Sequence, residues 1–167
     1  MTTARQERKI CRGLGLIAAV LVPLAAWDGP AGGAATTELV VVNRHTGLAI
    51  DGFDPVSYFT EGSPLPGRPE LELRAAGAIW RFRNEGNRAA FAASPEIYAP
   101  QFGGYDPISV GHGASAQGHP SLWVITGQRL YLFYSEQARA AFASNPEEAI
   151  AAAERHWPAV MRTLVRD

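Results

Sequence analysis

Trp80-Arg81-Phe82-Arg83-Asn84-Glu85-Gly86-Asn87-Arg88-Ala89-Ala90-Phe91-Ala92-Ala93-Ser94-Pro95-Glu96 aligns without gaps on Tyr131-Leu132-Phe133-Tyr134-Ser135-Glu136-Gln137-Ala138-Arg139-Ala140-Ala141-Phe142-Ala143-Ser144-Asn145-Pro146-Glu147, at a constant offset of 51 residues. A repeat of this period marks a supersecondary unit present twice. Each copy opens with two short alternating apolar runs around a small-residue turn, Leu71 to Arg74 then Ala78 to Arg83, and Leu122 to Thr126 then Arg129 to Tyr134. Both read as β-hairpins. Asn84 and Ser135 follow as helix N-caps, because their side-chain oxygens accept from the first unpaired N–H groups of a helix.

Each helix is expected to stop at Ser94-Pro95 or Asn145-Pro146, where proline disfavours helical geometry in the residue before it and suits the first position of a new helix. The last helix carries Glu147 and Glu148 in its first turn, an apolar face of Ile150, Ala153 and Trp157, and Arg155 and His156 in its last turn. That charge order suits the helix dipole. Ahead of the repeats, Asp51-Gly52-Phe53 reads as a turn, and Asp54 caps a short helix that Pro55 opens. Ser63 to Pro69 is an extended, proline-rich connector. Phe102 to Pro120 is glycine-rich and irregular, a long loop of the sort that often carries function. The expected fold is α+β: two tandem ββα units, a short N-terminal helix and a C-terminal helix. Phe91 and Phe142 should be buried equivalently, each against its own hairpin.

Composition bounds the function. The chain has 167 residues with 47% apolar and 19% charged, within the range of one globular domain. Arg5, Arg8, Lys9 and Arg12 precede an uncharged run from Leu14 to Ala26, which together read as a secretory signal. The run is shorter than the ~20 residues of a spanning helix, so cleavage is favoured over a membrane anchor, after Ala26 or after Ala35. Residues 36–167 then form one domain, periplasmic or secreted, with no stable membrane span. Without residues 1–35 it carries eleven basic and fourteen acidic residues, a formal charge of −3, which argues against nucleic acid as a partner. The single cysteine, Cys11, lies in the removed part, so core packing alone holds the domain.

The segments Gly52 to Gly62, Trp80 to Phe91 and Pro95 to Tyr105, with Leu122-Trp123-Val124-Ile125, Leu130-Tyr131-Leu132 and Trp157-Pro158, resemble the exported bacterial YHS-domain proteins. The motif residues are Asp54, Pro55, Tyr58, Tyr98, Pro100, Gly103, Gly104 and Tyr105, and the resemblance spans roughly residues 43–160. It implies a relation to small treble-clef-like metal-binding modules associated with heavy-metal handling. In that family a cysteine follows Gly-Gly-Tyr, where this chain has Asp106. Carboxylate oxygen prefers harder cations and cannot undergo thiol exchange, so soft-metal and redox chemistry do not carry over.

Asp106, His112 and His119 are the candidate ligands of a divalent metal ion, although Asp106-Pro107 also reads as a turn opener or helix cap, the commoner role of such a pair. The two histidines are seven residues apart, which is neither helical pairing nor a tight zinc spacing. His45 and His156 read as structural or solvent-facing. Tyr58, Trp80, Phe91, Tyr98, Phe102, Tyr105, Trp123 and Phe142 read as core rather than pocket lining. For catalysis, Ser57, Ser109, Ser115 and Ser121 are available, but none sits in a nucleophile elbow and no phosphate-cradling loop occurs. Three functions stay open: a non-enzymatic domain binding a metal ion or small ligand at the Gly103–His119 loop, a structural or protein-interaction module, and a small hydrolase.

Overall fold

Two antiparallel hairpins, each running into a capped helix, carry the architecture. The computed structural model describes residues 39–164, all within the unit Ala34–Asp167; the signal reading falls outside the described residues. In chain order the elements are α1 (Ser57–Thr60), β1 (Arg68–Ala75), β2 (Ala78–Phe82), α2 (Glu85–Ala93), α3 (Pro95–Tyr98), α4 (Pro107–Gly111), β3 (His119–Thr126), β4 (Arg129–Phe133), α5 (Glu136–Ser144) and α6 (Pro146–Leu164), with 3-10 turns at Ile50–Gly52 and Gln101–Gly104. Among the described strands, β1 pairs with β2 and β3 with β4, in two separate two-stranded sheets. The fold is α+β, as the sequence leads one to expect.

The two units agree in detail. Asn84 accepts from the Asn87 N–H at 2.8 Å and Ser135 from the Ala138 N–H at 3.1 Å, so both helices start where their caps stand. Leu73 faces Trp80 and Val124 faces Tyr131, and each hairpin has one irregularity at the same place, between Arg68 and Glu72 and between His119 and Trp123. Phe91 is 1% and Phe142 0% exposed. Phe91 lies 4.8 Å from Trp80 and 5.3 Å from Phe82 between ring centres, and Phe142 lies 5.1 Å from both Tyr131 and Phe133. The expected equivalence of the two phenylalanines holds.

The repeat also reaches further upstream than the aligned sequence. Ile50-Asp51-Gly52 and Phe102-Gly103-Gly104 each place three consecutive residues at positive φ. Gly67 N–H donates to Gly52 O at 2.8 Å, and Gly118 N–H to Gly104 O at 2.9 Å. A Cβ on Gly67 would lie 2.5 Å from Arg81 Cβ, and one on Gly118 2.6 Å from Leu132 Cβ. Both sites need glycine because the strand behind them approaches too closely for a side chain.

Three readings of the sequence are corrected. The outer strands start at Arg68 and His119 rather than near Leu71 and Leu122. Pro69 and Pro120 fit there because each outer strand has a partner on one side only, where a missing donor is tolerated. The stretch from Phe102 to Pro120 is not one long loop but holds a 3-10 turn, α4 and the start of β3. Finally, α6 continues through Pro158 to Leu164, which puts Arg155 and His156 in mid-helix. Proline removes one helix bond; burial of Val160 with Leu164 packed beside it offsets the loss.

The units meet head to tail. On one face of β4, Leu130 and Leu132 join Val56, Tyr58 and Trp80 of the first unit in one apolar cluster. Tyr58 stacks edge-on against Trp123 at 5.5 Å and donates its hydroxyl to Pro120 O at 2.9 Å. The residue matching Tyr58 in the second unit is Val110, which is covered by α6 through Ala153 and Val160. Gly111 permits that approach, since a Cβ there would stand 3.2 Å from Ala152 Cβ.

Candidate functional site

Asp106 is 1% exposed, and its carboxylate is engaged by its own chain. Oδ1 accepts from the Ile108 N–H at 2.9 Å, capping α4; Oδ2 faces Ser109 Oγ and the Tyr134 N–H, each at 3.4 Å. Asp54, 0% exposed, does the same in the first unit. Its Oδ1 accepts from the Val56 N–H at 2.9 Å, and its Oδ2 from the Arg83 N–H at 2.9 Å and Asn87 Nδ2 at 2.6 Å. Arg83 and Tyr134 are repeat partners, so each aspartate ties the start of a short helix to the end of the unit's second strand. Asp106 is therefore the second copy of Asp54, and its cap role is the one observed.

The structure does not bring Asp106, His112 and His119 together. His112 is exposed beside a hollow of about 200 Å³ between α4, α5 and α6, with Asn145 and Glu148 on its wall. His119 is exposed on β3, and its Nδ1 accepts from the Ser121 N–H at 3.2 Å. That bond assigns the ring proton to Nε2, so holding a metal through Nε2 would require moving the proton and losing the bond. Among the described residues no group of three His, Cys, Asp or Glu side chains is placed to hold a metal ion. The three candidates therefore do not fit as one metal site.

His119 does line a larger cleft, of about 480 Å³, where the units join. One wall comes from the segment Val41 to His45 and from Asp51, the other from Gln117 to Pro120 and Tyr134. Both walls hang from the Gly103-Gly104 turn: Val41 N–H donates to Gly103 O at 2.8 Å, and Gly118 N–H to Gly104 O. Asn43 Nδ2 donates to Asp51 Oδ1 at 3.2 Å and so orients the carboxylate. Tyr134, 67% exposed, stands at the rim. His45, read from sequence as structural or solvent-facing, is exposed and belongs to this cleft. Asn43, Asp51 and Tyr134 escaped the sequence reading because topology alone unites them. One signal existed: Asp51 occupies a left-handed turn position where the second unit has glycine.

Burial, and secondarily the Asp51 carboxylate, push the Tyr58 hydroxyl above the ordinary tyrosine range. Burial also raises Tyr131, with Glu154 adding to the shift and Arg129 opposing it. Of the serines, Ser57 donates to Asp54 O and Ser63 O and accepts from the Leu65 N–H. His156 Nδ1 lies 3.0 Å from Ala152 O. No serine hydroxyl is hydrogen-bonded to a histidine ring among the described residues, and none of the helices described is long and apolar enough to cross a membrane. Compared with known proteins, the chain matches no family model, no curated protein and no solved structure.

Proposed function

We propose that the chain is an exported, non-enzymatic domain of YHS type that binds a small organic ligand at the end of the Gly103–His119 segment. The observation that carries this reading is the cleft of about 480 Å³ at that end, within the size range of small-molecule sites. Its polar groups come from both units and converge on one space. A ligand there contacts Asp51 and His119 without disturbing the buried aspartates that hold the units. The metal reading is the weaker one, because Asp106 is committed to backbone donors and His119 Nδ1 to Ser121.

The test is a fragment screen followed by amide chemical shifts of the purified protein. Binders are expected to shift the amides of Asp51, Gln117 to Ser121 and Tyr134, while zinc, copper, nickel and calcium ions give no heat on titration. A screen with no binder at these positions, or a metal that binds at Asp106, overturns the reading. Export is tested by fractionation: deleting residues 1–35 should retain the protein in the cytoplasm of a bacterial host.

A further inference from the structure

Comparing the units separates residues the frame requires from residues it does not. Asp54 and Asp106, Gly67 and Gly118, and Phe91 and Phe142 are paired and do the same work. The cleft residues are not: Asp51 pairs with Gly103, His119 with Arg68 and Tyr134 with Arg83. At Gly103 the frame demands glycine, since a Cβ would lie 1.8 Å from Leu39 O. At Asp51 the backbone has the same left-handed conformation, φ 52° against 63° at Gly103. Glycine would suit that conformation better than any side chain. The first unit nevertheless keeps a carboxylate there, held by Asn43 on the cleft wall, next to Ile50 at φ 44°; a β-branched residue forced left-handed beside a cleft is strain that points to a role outside the frame.

Resting on the ligand reading above, we propose that the cleft takes a zwitterion of the α-amino acid or short-peptide type, with an apolar or aromatic side chain. Both signs of charge line it. Asp51 Oδ1 is oriented by Asn43, and a carboxylate has further acceptor sites for the ligand's ammonium. His119, with its Nδ1 taken by Ser121, can donate from Nε2, and Arg44 lines the same cleft. Arg44 has an interaction of its own, but five N–H donors allow it to serve a carboxylate as well. Val41, Pro120 and the Tyr134 ring provide an apolar surface for the side chain. A charge-assisted bond at each end of the ligand gives selectivity that neither charge supplies alone.

Calorimetric titration with L-phenylalanine, phenethylamine and 3-phenylpropionate tests this. Phenylalanine should bind best, and each singly charged analogue about tenfold or more weakly, the loss of roughly one charged contact. His119→Ala should weaken phenylalanine and phenylpropionate but leave phenethylamine. Asp51→Gly, which copies the second unit, should weaken phenylalanine and phenethylamine by a similar factor while Tm stays level or rises. Equal binding of the three probes, or unchanged phenylalanine binding by Asp51→Gly, overturns the proposal. So does a lower Tm in that variant, which would make Asp51 structural. If none of the three binds but another fragment shifts the cleft amides, the zwitterion is refuted and the ligand reading stands. If nothing shifts them, both fall.

Discussion

The first and second units share one frame, yet their second strands live in different surroundings. Ala78, Trp80 and Phe82 alternate with the partly exposed Ile79 and Arg81, whereas Leu130 to Phe133 are buried on both faces of β4. The difference follows from position. The Ile79 and Arg81 side chains on the outer face of β2 meet only the segment before it, at Gly47 and Gly52, whereas Leu130 and Leu132 on the same face of β4 meet the core of the first unit. The repeat thus keeps its helix caps and its buried phenylalanine contacts and differs most in what its outward face touches.

The internal contacts can be broken in pairs. Phe91→Ala and Phe142→Ala should each cost about 3–5 kcal/mol, as for other buried aromatics, and urea unfolding should give similar losses; a difference above about 2 kcal/mol would break the equivalence. Replacing the buried aspartates comes next. Asp54→Ala leaves three donors unpaired at 2.6–2.9 Å and Asp106→Ala leaves one close and two long ones, so about 3 kcal/mol is expected for the first and about 2 for the second. The asymmetry arises because Asn87 has Ala138 as its counterpart, which offers no side-chain donor.

Tyr58→Phe strikes the joint between units and should cost about 1 kcal/mol, for one hydrogen bond to Pro120. It has a pH signature as well. The folded Tyr58 keeps its proton above the ordinary tyrosine value of 10, so as pH rises past that value the unfolded chain loses a proton that the folded one retains, and stability falls. Denaturation profiles between pH 8 and 12 should therefore be flatter for Tyr58→Phe. The smallest effects belong to the exposed pairs Glu85–Arg88 and Glu136–Arg139, both at 2.7 Å. Removing either should change stability by only a few tenths of a kcal/mol. A larger value in one unit alone would mark a partner that only that unit has.

How much was legible in the sequence can be seen at the same residues. The hairpins, the Asn84 and Ser135 caps and the proline stops follow from local chemistry, and the structure has them all. The upstream half of the repeat was hidden, because the segment between Ser57 and Leu65 is one residue longer than that between Ser109 and Ala116, which shifts the offset from 51 to 52 upstream. With that shift unseen, Asp106 has no visible counterpart in the first unit; aligned with Asp54 it is a frame residue. The cleft was illegible for another reason. Asn43, Asp51, His119 and Tyr134 have no common period, and only the return of β3 beneath the first turn collects them.

The contact between units is of the kind that does not close on itself: the short-helix side of one unit receives the hairpin side of the next, so every unit added would offer a fresh acceptor. In solenoids such growth is ended by a divergent terminal element. In the second unit α6 takes that place, lying over Val110 where the first unit offers Tyr58 to the next hairpin, and the small residues Gly111 and Ala152 let it sit down.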